Sequence, residues 1–88
     1  QAEQGINVYP NPFRGAAHID LNLEKGSDVR IELYDLSGKM VDLANMGFQF
    51  GGTNTMVYQP GTDLLDGIYL MKVITETKSY TQKVVYRN

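Results

Sequence analysis

The chain has no cysteine and no tryptophan, a single histidine and only three prolines. Without cysteine there is no disulfide framework and no thiolate chemistry, so the sequence does not encode its redox compartment. His18, the one imidazole, cannot form a histidine metal cluster with scattered carboxylates. As a general base it would need a neighbouring nucleophile, yet Ser27, Ser37 and Ser79 all fall in turn sequences. No run approaches the roughly 18 apolar residues of a membrane span. Lysine and arginine form no stripe that could track phosphates, so a nucleic-acid partner is not expected. Alanine is sparse and apolar residues do not recur at helical spacing, which excludes an appreciable helix.

What remains is rich in Val, Ile, Thr, Tyr and Gly, the composition of strands and turns. Eighty-eight residues make one domain, large enough for a single core and too small for a deep catalytic cleft. Gln1 to Gly5 is polar and patternless and is expected to be the end of a linker from an upstream domain, with residues 6–88 forming the folded unit. Beginning at Gln1, without an initiator methionine, the chain reads as a module of something longer.

Alternation places the strands. Ile6 to Tyr9 starts one, and Pro10-Asn11-Pro12 stops it at a sheet edge or corner, because neither proline can donate to a ladder. Ile19, Leu21 and Leu23 alternate with His18, Asp20 and Asn22; Val29, Ile31 and Leu33 alternate with Arg30, Glu32 and Tyr34. Across Lys25-Gly26-Ser27-Asp28 these two runs read as a hairpin with one wet face. Asp35-Leu36-Ser37-Gly38 has the side-chain acceptor and the glycine of a type I turn, folding Lys39 to Ala44 back as the next strand. Gly51-Gly52 joins Met46–Phe50 to Thr53–Tyr58 as a two-residue turn or a looser loop. Ile68 to Thr75 is apolar in both phases except at Lys72, as in a central strand covered on both sides, and Tyr80 to Arg87 closes the chain. About seven antiparallel strands with turn signals every 8 to 12 residues predict an all-β, immunoglobulin-like β-sandwich. Such domains place a tyrosine at a strand corner two residues before a core cysteine. Tyr69 has that spacing here, with Met71 in the cysteine's place.

Charge is unevenly divided. Residues 1–71 hold nine acids and four bases, a net −5, while residues 72–88 hold Lys72, Lys78, Lys83 and Arg87 against Glu76, a net +3. A basic last strand suits an edge guarded against aggregation, or a face for an acidic partner. Asp35 with Ser37 offers too few oxygens for calcium, and Asp63 and Asp66, which could be cast as an acid and base pair, are explained more simply as caps of backbone donors. No paired acid, base or nucleophile points to an enzyme, and no cofactor or metal is expected. Tyr34, Phe48, Phe50 and Tyr58 could form a stacking platform for sugars, or could fill the space between sheets.

Three segments sharpen this reading: Val8-Tyr9-Pro10-Asn11-Pro12-Phe13, Leu33-Tyr34-Asp35-Leu36-Ser37-Gly38-Lys39-Met40-Val41, and Leu65-Asp66-Gly67-Ile68-Tyr69-Leu70-Met71-Lys72-Val73 leading to Lys83-Val84-Val85. In order, spacing and overall length they resemble the type A C-terminal sorting domain of the type IX secretion system of Bacteroidetes. The resemblance implies a non-catalytic module that directs a larger exported protein through the periplasm to the cell surface or outside. Its implied partners are the upstream cargo domain, the outer-membrane secretion machinery and a sortase-like peptidase that cuts in or before Gln1 to Gly5. The signal residues it implies are Pro10, Asn11, Pro12, Asp35, Gly38, Gly67, Tyr69, Lys72, Lys83, Val84 and Val85. A last strand with outward Thr81, Lys83 and Val85 could then offer main-chain hydrogen bonds to a receptor sheet. A carbohydrate-binding or purely structural accessory module of a secreted enzyme stays open as the alternative.

Overall fold

Inward-facing aliphatic side chains at alternate positions give two sheets with one shared core. A computed structural model describes residues 5–61 and 63–88, so most of the expected linker, Gln1 to Gln4, lies outside the described residues. Seven strands and no helix are found among the described residues: β1 (Ile6–Arg14), β2 (Ala16–Leu23), β3 (Ser27–Tyr34), β4 (Met40–Gln49), β5 (Gly52–Tyr58), β6 (Gly67–Ile74) and β7 (Ser79–Tyr86). The three-stranded sheet is β1-β2-β5 and the four-stranded sheet is β4-β3-β6-β7, with β1 joining the two. The all-β sandwich expected from the sequence is the fold. In a constant-type immunoglobulin domain the fourth strand sits beside the first, second and fifth. Here β4 pairs with β3 instead.

The core follows the alternation. Ile19 and Leu21 on β2, Met56 and Tyr58 on β5, Val29, Ile31 and Leu33 on β3, and Met71 and Val73 on β6 are all buried between the sheets. Directly paired residues share a face, so Ile31 opposite Val73 and Ile19 opposite Met56 pack as cross-strand pairs. Tyr58, the largest of the fully buried side chains, donates its hydroxyl to the Asp42 carboxylate on β4 and so joins the two sheets. Burial, followed by the hydrogen bond to Asp42, pushes that phenol's pKa well above its ordinary value.

Three expectations about strands and their connections need correction. β2 and β3 do not pair; the Lys25-Gly26 link carries the chain from one sheet to the other. Of the two readings of Gly51-Gly52, the looser loop is the one found: Gly51 lies on a crossing between sheets, since β4 pairs β3 and β5 pairs β2. Alternation reports which face of a strand is wet, and two neighbouring strands of a sandwich show the same pattern whether they lie side by side or face to face. Lys39–Ala44 and Met46–Phe50 form one strand, β4, whose register against β3 shifts twice. The third correction concerns β6, which is central in its sheet but not covered on both sides, because Ile68 and Leu70 are 43% and 36% exposed.

The strands are antiparallel with one exception. Ile6 to Tyr9 pairs with β2, and past the prolines Phe13 meets Tyr86 of β7 in a parallel bridge. The proline segment is therefore the corner at which the chain changes sheets. Both X–Pro bonds there are cis.

Candidate recognition surface

The three segments singled out in the sequence converge on the four-stranded sheet. Pro10-Asn11-Pro12 leads β1 onto β7: the Asn11 Nδ2 donates to the Lys83 carbonyl at 3.1 Å, and the Val85 N–H donates to Asn11 Oδ1 at 2.8 Å. Beyond it the Arg87 N–H donates to the Phe13 carbonyl at 3.0 Å. Phe13 is fully buried and packs edge-on against Tyr86, with ring centroids 5.2 Å apart. The last strand is thus held on both sides, by β6 along its length and by β1 at its end. The expectation of a bare terminal edge does not hold at Lys83 to Arg87.

Asp35 and Gly38 build the turn between β3 and β4. Asp35 Oδ1 accepts from the Ser37 hydroxyl at 2.6 Å, the Ser37 N–H at 2.9 Å and the Lys39 N–H at 3.0 Å. Gly38 takes φ 91°, a left-handed conformation that a side chain would oppose. The bond from the Ser37 hydroxyl, then that from the Lys39 backbone, holds the Asp35 carboxyl below its usual pKa. Asp35 also lines a cleft of about 340 Å³ with Asp63, Leu65 and Tyr69, which brings the second segment against the third. There the Tyr69 hydroxyl donates to the Leu65 carbonyl at 2.6 Å, the tyrosine corner anticipated from its spacing, and Met71 behind it is wholly buried. Asp66 caps a backbone donor as expected, accepting from the Asn88 N–H at 2.8 Å.

Among the sequence-derived signal residues, Tyr69 and Val84 are buried and belong to the core. Lys72, Lys83 and Val85 reach the outer face of the four-stranded sheet. Register places Tyr34, Leu70 and Lys83 in one row across β3, β6 and β7, and Glu32, Lys72 and Thr81 in the next. Glu32 is only 8% exposed, although alternation points it outward. It accepts from the Tyr34 hydroxyl at 2.6 Å and from Arg30 Nε at 3.0 Å. These partners, with the positive charges of Arg30 and Lys72, keep its pKa below the ordinary value against the cost of burial. The Lys72 ammonium lies 5.5 Å from the centre of the Tyr34 ring. Tyr34, Gly38, Leu70, Lys72 and Thr81 line a shallow hollow of about 200 Å³. Lys83 is exposed and has no ion-pair partner among the described residues.

Leu70 and Ile68 fall within the third segment but, like Glu32, are not among the sequence-derived signal residues, because only the register shows which side chains share a row. The four aromatic residues considered as a sugar platform do not assemble. Tyr58 is in the core at 1% exposure, Phe48 and Phe50 are 55% and 77% exposed as an edge-to-face pair, and Tyr34 lies on the outer face under Lys72. His18 is exposed and stacked on Tyr9 at 5.4 Å. No group of three or more histidine, aspartate or glutamate side chains that could hold a metal occurs among the described residues. No helix there is long and apolar enough to cross a membrane.

No curated protein and no solved structure matches the chain. A family model described as "Secretion system C-terminal sorting domain" matches residues 7–87, nearly the whole sequence and all three convergent segments. The chain therefore belongs to the family of type IX secretion C-terminal sorting domains, the sorting signals by which larger proteins are exported to the cell surface or outside.

Proposed function

We propose that the outer-membrane secretion machinery recognises the outer face of the four-stranded sheet, where Leu70 and Ile68 lie open beside Lys83 and Val85, with Lys72 next along β6. The domain acts without catalysis, as a folded label on its cargo. Residues 6–88 are the label and residues 1–5 the end of the linker, in or before which a sortase-like peptidase cuts once the cargo has passed from the periplasm through the outer membrane. One observation carries the reading: segments distant in sequence meet on β3, β6 and β7 and surround a patch that is both apolar and cationic. A signal shared by unrelated cargoes has to be read from its own surface. Exposed apolar area supplies contact energy, while Lys83, without an ion-pair partner among the described residues, favours an acidic partner and fixes its orientation.

The test is export of the parent protein in a bacterium that carries it. The double substitution Leu70→Asp with Lys83→Glu changes the solvent face and leaves the core side chains in place, and thermal unfolding establishes that the variant is folded before export is compared. It is expected to lower the amount at the cell surface at least about tenfold, because like charges facing an acidic partner repel. His18→Ala with Asn22→Ala, on the outer face of the other sheet, is expected to leave export within about twofold. Normal export of the folded Leu70 and Lys83 variant would refute this assignment of the surface.

A further inference from the structure

Asn11 stands between two prolines, so β1 has no backbone N–H at positions 10 and 12, and its ladder to β2 is interrupted between Tyr9 and Arg14. A primary amide carries a donor and an acceptor in one plane, as a peptide group does. The Asn11 side chain uses both, giving Nδ2–H to the Lys83 carbonyl and accepting the Val85 N–H. These are the two bonds that a neighbouring strand would make with the outer edge of β7 at that point. Two residues later Phe13 takes over with its own backbone, accepting from the Arg87 N–H, and anchors the corner by burying its ring against Tyr86.

We infer that Asn11 is a positioning residue that closes the outer edge of the last strand, so that the export machinery reads β7 by its side-chain face and not by adding a strand to its backbone. The inference rests on the proposed reading of that face. Closing the edge has two effects. It holds Lys83 in register opposite Leu70, and it removes the Lys83 carbonyl and the Val85 N–H from the groups a foreign strand could use. The role requires an amide at position 11. Alanine makes neither bond, and aspartate keeps the acceptor for Val85 but sets a carboxylate against the Lys83 carbonyl.

Amide hydrogen exchange on the ¹⁵N-labelled chain tests the clamp directly. Asn11→Ala should speed exchange of the Val85 amide about tenfold, the effect of losing one hydrogen bond, while Val73 in the core stays within about twofold. Asn11→Asp should leave Val85 within about threefold of the unsubstituted chain, since its acceptor remains, and this variant serves should the alanine variant fail to fold. In the parent protein both substitutions should reduce export. Unchanged Val85 exchange in Asn11→Ala would overturn the clamp, and full export by a variant whose Val85 amide has become labile would overturn its role in recognition. Failure of the Leu70 and Lys83 variant to affect export would remove the assigned face and leave the exchange result standing, so the two proposals can fail separately.

Discussion

The two sheets are alike inside and different outside. Each lines the core with alternating aliphatic residues, but the three-stranded sheet shows solvent a face that is polar apart from Val57, in which Asp20 accepts from both Tyr9 and Thr55, at 3.1 and 2.7 Å, and His18 stacks on Tyr9. The four-stranded sheet shows Leu43, Leu70 and Ile68 together with lysines, over a carboxylate that is itself nearly buried. A sandwich needs one apolar face per sheet to fold. Apolar side chains on the second face add little to folding, and here Ile68 and Leu70 fall within a segment that marks the family, while Leu43 lies outside it.

The largest effects should appear where the sheets are alike. Leu21 on β2 and Leu33 on β3 both have no exposed surface, so Leu21→Ala and Leu33→Ala should each cost about 2–5 kcal/mol. For a domain of this size each kcal/mol lowers the melting temperature by roughly 4–8 °C, which thermal unfolding would resolve. Near-equal losses are expected. A loss below about 1 kcal/mol on one side alone would mean that the two sheets do not share one cooperative core.

A smaller effect should separate the outer faces. Glu32→Gln keeps the size of the side chain but removes the charge that faces Arg30 and Lys72, at an expected cost of about 1 kcal/mol near neutral pH. The pKa of Glu32 is lowered on folding, so the unfolded chain binds more protons in acid; the stabilisation is complete above the ordinary glutamate pKa of about 4.3 and is lost as the pH falls through the lower folded value. Asp35, lowered by its turn, acts in the same direction. Chemical denaturation at pH 7 and near pH 3 should therefore show a steeper acid loss in the unsubstituted chain than in Glu32→Gln. Equal slopes would place Glu32 with the ordinary surface carboxylates.

Much of this architecture is legible in the sequence. Strand positions follow from alternation, the Asp35 turn from its acceptor and glycine, and the Tyr69 corner from its spacing to Met71. These signals are local and act within a few residues. Pairing is not local: Lys25-Gly26 reads as a hairpin turn and Gly51 as a hairpin turn or a looser loop, yet each carries the chain across the sandwich. For the same reason the sequence marks Lys72, Lys83 and Val85 but not Leu70, Ile68 and Glu32, because what unites them is the register of β3, β6 and β7. The Asn11 clamp lies further out of reach, joining residues 11 and 85 through a side chain that plays the part of a strand.

The smallest effect is expected on the polar outer face. Tyr9→Phe removes the hydroxyl that donates to Asp20, but Asp20 still accepts from Thr55 at 2.7 Å and the ring can still stack on His18. Tyr9 is exposed, and water can replace the lost bond at both ends. The melting temperature should move by less than about 3 °C, as for an ordinary surface substitution. The hydrogen bond to Asp20 raises the Tyr9 pKa, so titration of the phenol in alkali should begin later than in a free tyrosine and be absent from the variant. A larger thermal shift would show that Tyr9, Asp20 and Thr55 stand or fall together, as Glu32 and its partners are expected to do, and the contrast between the two outer faces would then lie only in their polarity.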